Sequence, residues 1–114
     1  MKMNNPLMSV IVPIYNAEEH LAKCLSAIAN QAVWDIEIIC IDDASTDGSL
    51  GIVEKFASRD MRFFIVSRKT RSGSNEYIRN TGLELARGKH VVLINPDGSD
   101  DLGMLENLCA VELP

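Results

Sequence analysis

Three carboxylates in this chain stand where carboxylates can do chemistry. Asp42 and Asp43 end the continuous apolar run Ile38-Ile39-Cys40-Ile41, and Asp97 follows His90-Val91-Val92-Leu93-Ile94 through Asn95-Pro96. An apolar run that stops abruptly in acid reads as a buried strand carrying oxygen ligands to its C-terminal end. In open α/β sheets that end is where ligands bind. Oxygens placed there can accept hydrogen bonds from a ligand or hold a hard metal cation. A third apolar run, Val10-Ile11-Val12-Pro13-Ile14, ends in Tyr15-Asn16, where an aromatic ring could stack on a flat ligand. Arg79 could pair with the acids or with a phosphate.

Each of these residues also has a plainer reading. Two acids ahead of a helix start complement its dipole, worth about 0.3–1 kcal/mol. One of the pair is expected to be structural, because two carboxylates buried together disfavour ionising both. Asn95-Pro96-Asp97-Gly98 has the residues a type I turn favours, although a rigid turn also aims Asp97 well. Tyr15 could merely cover a sheet edge, and Arg79 could sit on a solvated helix face.

The elements that must position these residues alternate regularly. Strands are predicted over residues 8–14, 36–41, 61–66 and 90–94. The first should stop near Pro13, which cannot donate to a ladder. The first helix places Leu21, Cys24, Leu25 and Ile28 on one apolar face and closes at Asn30-Gln31. The second, capped by Ser45 or Thr46, buries Leu50, Val53, Phe56 and Ala57. Residues 67–75 read as a mobile polar loop, and a third helix over 76–86 turns Ile78, Gly82 and Leu85 inward, with Gly88 as its stop. A last short helix is predicted over 101–111. Strand–helix alternation with right-handed crossovers gives a three-layer α/β fold around a mostly parallel, Rossmann-like sheet of order 3-2-1-4. In that order Pro13-Ile14-Tyr15-Asn16, Asp42-Asp43 and Asn95-Pro96-Asp97 meet at one rim.

Composition narrows the class. The 114 residues suit one domain, and 46% apolar content is ordinary for a globular protein. A net charge of −5, with no basic stripe, argues against nucleic acid as a partner. Cys24, Cys40 and Cys109 lie in apolar patterns and read as reduced, buried thiols of a cytoplasmic protein. No window reaches the apolar length of a transmembrane helix, and the N-terminus lacks a signal-peptide core. Zinc-ligand spacing, a nucleophile elbow, a P-loop and a Gly-x-Gly-x-x-Gly fingerprint are all missing from the sequence.

Taken together, four ordered motifs resemble the donor-binding half of a family 2 glycosyltransferase with the nucleotide-diphospho-sugar transferase (GT-A) fold. They are Ser9-Val10-Ile11-Val12-Pro13-Ile14-Tyr15-Asn16, then Glu37 through Ser49 with its Asp42-Asp43-Ala44-Ser45-Thr46-Asp47-Gly48 core, Arg79-Asn80-Thr81-Gly82 through Gly88, and Asn95-Pro96-Asp97. The resemblance implies a nucleotide site made by Pro13, Tyr15, Asn16, Asp42, Asp43 and Arg79, with Tyr15 against the base and Asp43 on a pyrimidine edge. It implies a divalent metal, Mg²⁺ or Mn²⁺, at Asn95 and Asp97, the counterpart of the family's Asp-x-Asp. Asn95 keeps an acceptor oxygen there but loses the charge. Gly73 lies one residue further from Arg79 than the family's usual glycine.

The implied reaction moves a sugar from a UDP- or dTDP-sugar to the hydroxyl of a saccharide or lipid-linked acceptor, in cell-envelope polysaccharide synthesis. The implied location is the cytoplasm, or the inner face of the membrane. Family members carry an acceptor half beyond the metal motif, so the chain is expected to be a single donor-binding domain over residues 1–114 without that half, and its general base is not assigned. Apolar surface that the missing half would cover is expected to favour a homo-oligomer. The rival reading is a non-catalytic nucleotide- or metal-binding α/β module that acts through a partner. A response-regulator receiver would want its acid pair after the first strand, which is not where Asp42-Asp43 falls.

Overall fold

The computed structural model describes residues 5–31 and 34–96. Asp97, Asp100, Asp101, Cys109 and the short helix expected near the C-terminus lie outside the described residues. Strand β1 (Met8–Ile14), helix α1 (Glu18–Ala29), β2 (Ile36–Asp42), α2 (Ser49–Arg59), β3 (Phe63–Ser67), α3 (Asn75–Leu85) and β4 (His90–Leu93) follow in chain order. The sheet order is β3-β2-β1-β4, and every pairing is parallel. The α/β class, the sheet order and the strand directions therefore agree with the sequence reading.

Strand β2 is buried along its whole length, which explains why it reads as a continuous apolar run rather than an alternating one. Its even-numbered side chains, Ile36, Ile38 and Cys40, join Met8, Val10, Val12 and Ile14 of β1 beneath α1 and α2. On the opposite face Ile11, Ile39 and Ile41 pack with Ile78 of α3. Among the described residues helices thus cover both faces, two on one side and one on the other.

Strand β1 ends one residue past Pro13, at Ile14, as the sequence reading expects. The carbonyl of Ile11 accepts from Ile94, and that of Ile14 accepts from Asp43. By alternation Pro13 faces β4, whose pairing ends at Leu93 opposite Ile11, so no donor is missed there.

Leu85 is 46% exposed rather than inward, because among the described residues α3 is the one helix on its face and leaves Phe64 of β3 open as well. Gly82 is buried against β1, where a Cβ would lie 2.6 Å from Cγ2 of Ile11. That contact explains the glycine: it lets the helix backbone approach the strand.

Ser45 and Thr46 do not cap α2, whose N-cap is Gly48. Their polar atoms are spent on the neighbouring turn instead. Ser45 Oγ accepts from the N–H of Asn16, while the Asn16 side-chain oxygen accepts from the N–H groups of Thr46 and Asp47. Asp47 Oδ1 takes the N–H of Ser49, and Oδ2 takes that of Glu18, so one carboxylate serves the starts of two helices. Burial would raise the Asp47 pKa, but these N–H donors outweigh it and hold it below the usual carboxylate value.

At the opposite end of the strands a second polar lock forms. Glu37, buried in β2, accepts from Ser9 Oγ, from the N–H of Arg87 at 2.7 Å and from Arg87 Nε at 3.2 Å. The N–H of Gly88 donates to Ser9 Oγ at 2.8 Å, fixing the turn between α3 and β4 onto β1. Cys24 and Cys40 are buried as expected, and burial pushes the Cys40 thiol up to about 12.

Candidate functional site

Register brings the rim together. Ile14 pairs with Asp42, so Tyr15 and Asp43 emerge side by side, and Ile11 pairs with Leu93, so Asn95 arrives next to Pro13. A cavity of about 350 Å³ opens between them, lined by Pro13, Tyr15, Asp43, Arg71, Asn95 and Pro96 among others. That is within the usual range for small-molecule sites. Asn16 has φ of +50°, a conformation Asn tolerates, and Ala44 has φ of +60°, which an alanine rarely adopts. Both turns are therefore bent hard where the strands end.

Of the sequence candidates, Pro13, Tyr15, Asp43 and Asn95 line the cavity. Asn16 is engaged in the lock with residues 45–47. Asp42 is 2% exposed and lies beneath the rim, taking only a 3.4 Å hydrogen bond from the N–H of Ser45. Its Oδ1 has no partner among the described residues. Arg79 is exposed on α3 and is not among the residues that line the cavity.

The loop predicted as mobile is fastened down. Asp43 Oδ1 accepts the N–H of Ser72 at 2.8 Å, and Oδ2 accepts Ser72 Oγ at 2.9 Å and the N–H of Gly73 at 3.4 Å. The N–H of Arg68 donates to the Asp42 carbonyl. Arg68 Nε lies 3.4 Å from Asp43 Oδ1, an ion pair without hydrogen-bond alignment. Its guanidinium also donates to the Tyr77 hydroxyl at 2.8 Å.

Burial would raise the Asp43 pKa, but the Ser72 and Gly73 donors and the Arg68 charge outweigh it and hold the carboxyl below its usual value. Residues 68–74 thus form a strap across the rim, running into α3 through the Ser74 cap. Arg71 projects from the strap, its guanidinium carbon 3.8 Å from the centre of the Tyr15 ring.

Sequence reading missed Arg68, Arg71 and Ser72. Three cations within residues 68–71 were a visible signal, but the donors that close on Asp43 include two backbone N–H groups, which no residue type announces. Among the described residues no group of three His, Cys, Asp or Glu side chains is placed to hold a metal ion. Asn95 contributes to the cavity, and Asp97 lies outside the described residues. No helix among the described residues is long and apolar enough to cross a membrane.

Comparison with known proteins adds a family. The profile described as Glycosyl transferase family 2 matches residues 9–111. The chain is 33% identical over 92 residues to poly(ribitol-phosphate) beta-glucosyltransferase of Bacillus spizizenii, covering 79% of this chain and 14% of that protein. The crystal structure of S. aureus TarS 1-349 in complex with UDP-GlcNAc superposes with a TM-score of 0.78 at 32% identity, over 90% of this chain and 31% of the other. Mannosyltransferase PcManGT from Pyrobaculum calidifontis, in complex with GDP-Man and Mn²⁺, gives 0.77 at 30% identity over 96% and 32%. The chain therefore spans a third or less of the length of these relatives.

Proposed function

The chain belongs to glycosyl transferase family 2, and from that premise we propose that it is the donor-binding domain of an enzyme that transfers a sugar from a nucleoside diphosphate to an acceptor hydroxyl. The observation that carries this reading is the cavity at the C-terminal rim, where Tyr15, Asp43 and Asn95 meet. It is the place where a parallel sheet of this order binds ligands. In this reading the base lies against Tyr15, and Asp43 serves the site by fastening the strap that walls the cavity. Its carboxylate takes three hydrogen bonds from the strap and still lines the cavity, so an acceptor position remains for a pyrimidine edge.

The diphosphate runs toward Asn95. A divalent cation held by one or two protein oxygens and the donor's own phosphates needs no three-residue cluster, so the residues fit Mg²⁺ or Mn²⁺ with Asn95 and Asp97 as the protein ligands. Bound there, such an ion would neutralise the leaving diphosphate. UDP is the donor nucleotide we favour, because TarS was crystallised with UDP and UDP-GlcNAc. A hydroxyl-bearing cell-envelope polymer is the acceptor class, by kinship with the poly(ribitol-phosphate) enzyme. The non-catalytic rival has no observation in its favour.

Melting curves with UDP, Mn²⁺ and both test the reading. UDP at 100 times its dissociation constant should add about 2.7 kcal/mol. The gain should be larger with Mn²⁺, and Asp97→Asn should remove that metal-dependent part. The absence of any shift with UDP, with or without metal, would overturn the assignment.

A further inference from the structure

Arg71 is held unlike its neighbours on the strap. Arg68 is tied through its backbone to Asp42 and through its guanidinium to Asp43 and Tyr77. Ser72 and Gly73 are tied to Asp43. The backbone on both sides of Arg71 is therefore pinned, while its exposed side chain has a single recorded partner among the described residues, the Tyr15 ring. The Asp43 charge is already answered by Arg68 and the N–H donors. Among the described residues Arg71 is a cation on a fixed stalk, parked on an aromatic ring that lines the cavity, with no carboxylate of its own.

That face is the one a flat base needs. A guanidinium over an exposed ring is weakly held, whereas the same group can make paired, charge-assisted hydrogen bonds to phosphate. A bare nucleoside must displace Arg71 and offers it nothing in return. A nucleoside diphosphate displaces it and supplies an anion within the same cavity. We propose that Arg71 discriminates between the two: it covers the Tyr15 ring until a diphosphate draws the guanidinium away, so the site favours nucleoside diphosphates over nucleosides. This rests on the reading that the base of the donor stacks on Tyr15.

The test compares uridine and UDP binding, by NMR titration in EDTA so that no metal contributes, for the wild-type chain, Arg71→Ala and Arg71→Lys. Arg71 is exposed and, among the described residues, its side chain meets the Tyr15 ring alone, so all three proteins should share one circular-dichroism spectrum and melting temperature. With Arg71→Ala, uridine should bind about two- to fivefold more tightly, since the competing ring contact is gone. UDP should bind about tenfold or more weakly, since a charge-assisted phosphate contact is gone. Arg71→Lys, which keeps the charge but stacks less well, should recover most of the UDP affinity. Opposite signs for the two ligands are something that a merely structural residue would not produce. If Arg71→Ala weakens both ligands, the guanidinium supports the base rather than excluding it, and the proposal is wrong. It is equally wrong if neither affinity changes. If the wild-type chain binds neither ligand, the donor-site reading itself fails and takes this inference with it.

Discussion

The strap should depend on the charge of Asp43, and Asp43→Asn measures how much. Two of its contacts are short, the Ser72 N–H at 2.8 Å and the Ser72 hydroxyl at 2.9 Å, one on each carboxylate oxygen. Asn keeps one acceptor but turns an NH₂ group toward donors, so at least one charge-assisted bond is lost, at a cost of about 2 kcal/mol. If strap and core unfold together, melting should fall on the order of 8 °C for a chain of this size. If the strap can undock alone, the loss will show instead as roughly 30-fold faster amide exchange at Ser72 and Gly73.

The sign of the pH dependence follows from the depressed carboxyl. Its folded pKa lies below the unfolded value, so the stabilisation is complete above the ordinary Asp value of about 3.9 and is lost as pH falls through the folded pKa. The stability gap between wild type and Asp43→Asn should therefore be flat above about pH 5 and close progressively below about pH 4. Subtracting the two curves removes the other acids, including Asp47 and Asp60, which are depressed in both proteins. Urea denaturation and exchange protection at pH 7 and at several values down to pH 3 give the curves. Equal stability and equal protection at pH 7, or a gap that stays constant down to pH 3, would refute the fastening role.

Gly82→Ala should destabilise, because the new Cβ would sit 2.6 Å and 2.8 Å from Cγ2 and Cδ1 of Ile11, a fully buried side chain. An overpacking cost of about 1–3 kcal/mol outweighs a helix-propensity gain of about 1, leaving a net loss of up to about 2 kcal/mol in urea denaturation. Ala44→Gly should stabilise by up to about 1 kcal/mol, since Ala44 is held at φ +60° where glycine carries no Cβ penalty. A lowered urea midpoint for that variant would show that Ala44 packs in a way that outweighs its backbone strain.

Much of the fold was legible because its signals are local. Strand β2 is buried on both faces and so is apolar without interruption, and α1 turns Leu21, Cys24, Leu25 and Ile28 inward at helical spacing. Handedness and sheet order then bring the strand ends to one rim with no further information. What stayed hidden was long-range and polar. Ser72 meets Asp43 across 29 residues, and Arg87 meets Glu37 across 50. Glu37 did leave a trace: a lone acid inside an apolar strand demands a buried partner. The strap left less, because backbone N–H groups are the same in every sequence. Ser45 and Thr46 misled because their capping chemistry was real but was claimed by Asn16.

These two kinds of contact divide the rim mechanically. On one side Asn16, Ser45, Asp47 and Ser49 tie the two strand-to-helix turns to each other through several independent hydrogen bonds, and Asp47 joins the starts of two helices. Loss of any one bond leaves the others in place. On the other side, among the described residues, the middle of the strap depends on one carboxylate, that of Asp43 just past β2, whose oxygens take the Ser72 and Gly73 hydrogen bonds. A ligand that competes for Asp43, or that draws Arg71 off Tyr15, acts on the side with the fewest anchors. Adjustment to a bound donor should therefore fall on residues 68–74, while Tyr15 and the turn behind it hold their places. Exchange protection should then change with UDP at Ser72 and Gly73 and stay fixed at Asn16 and Asp47.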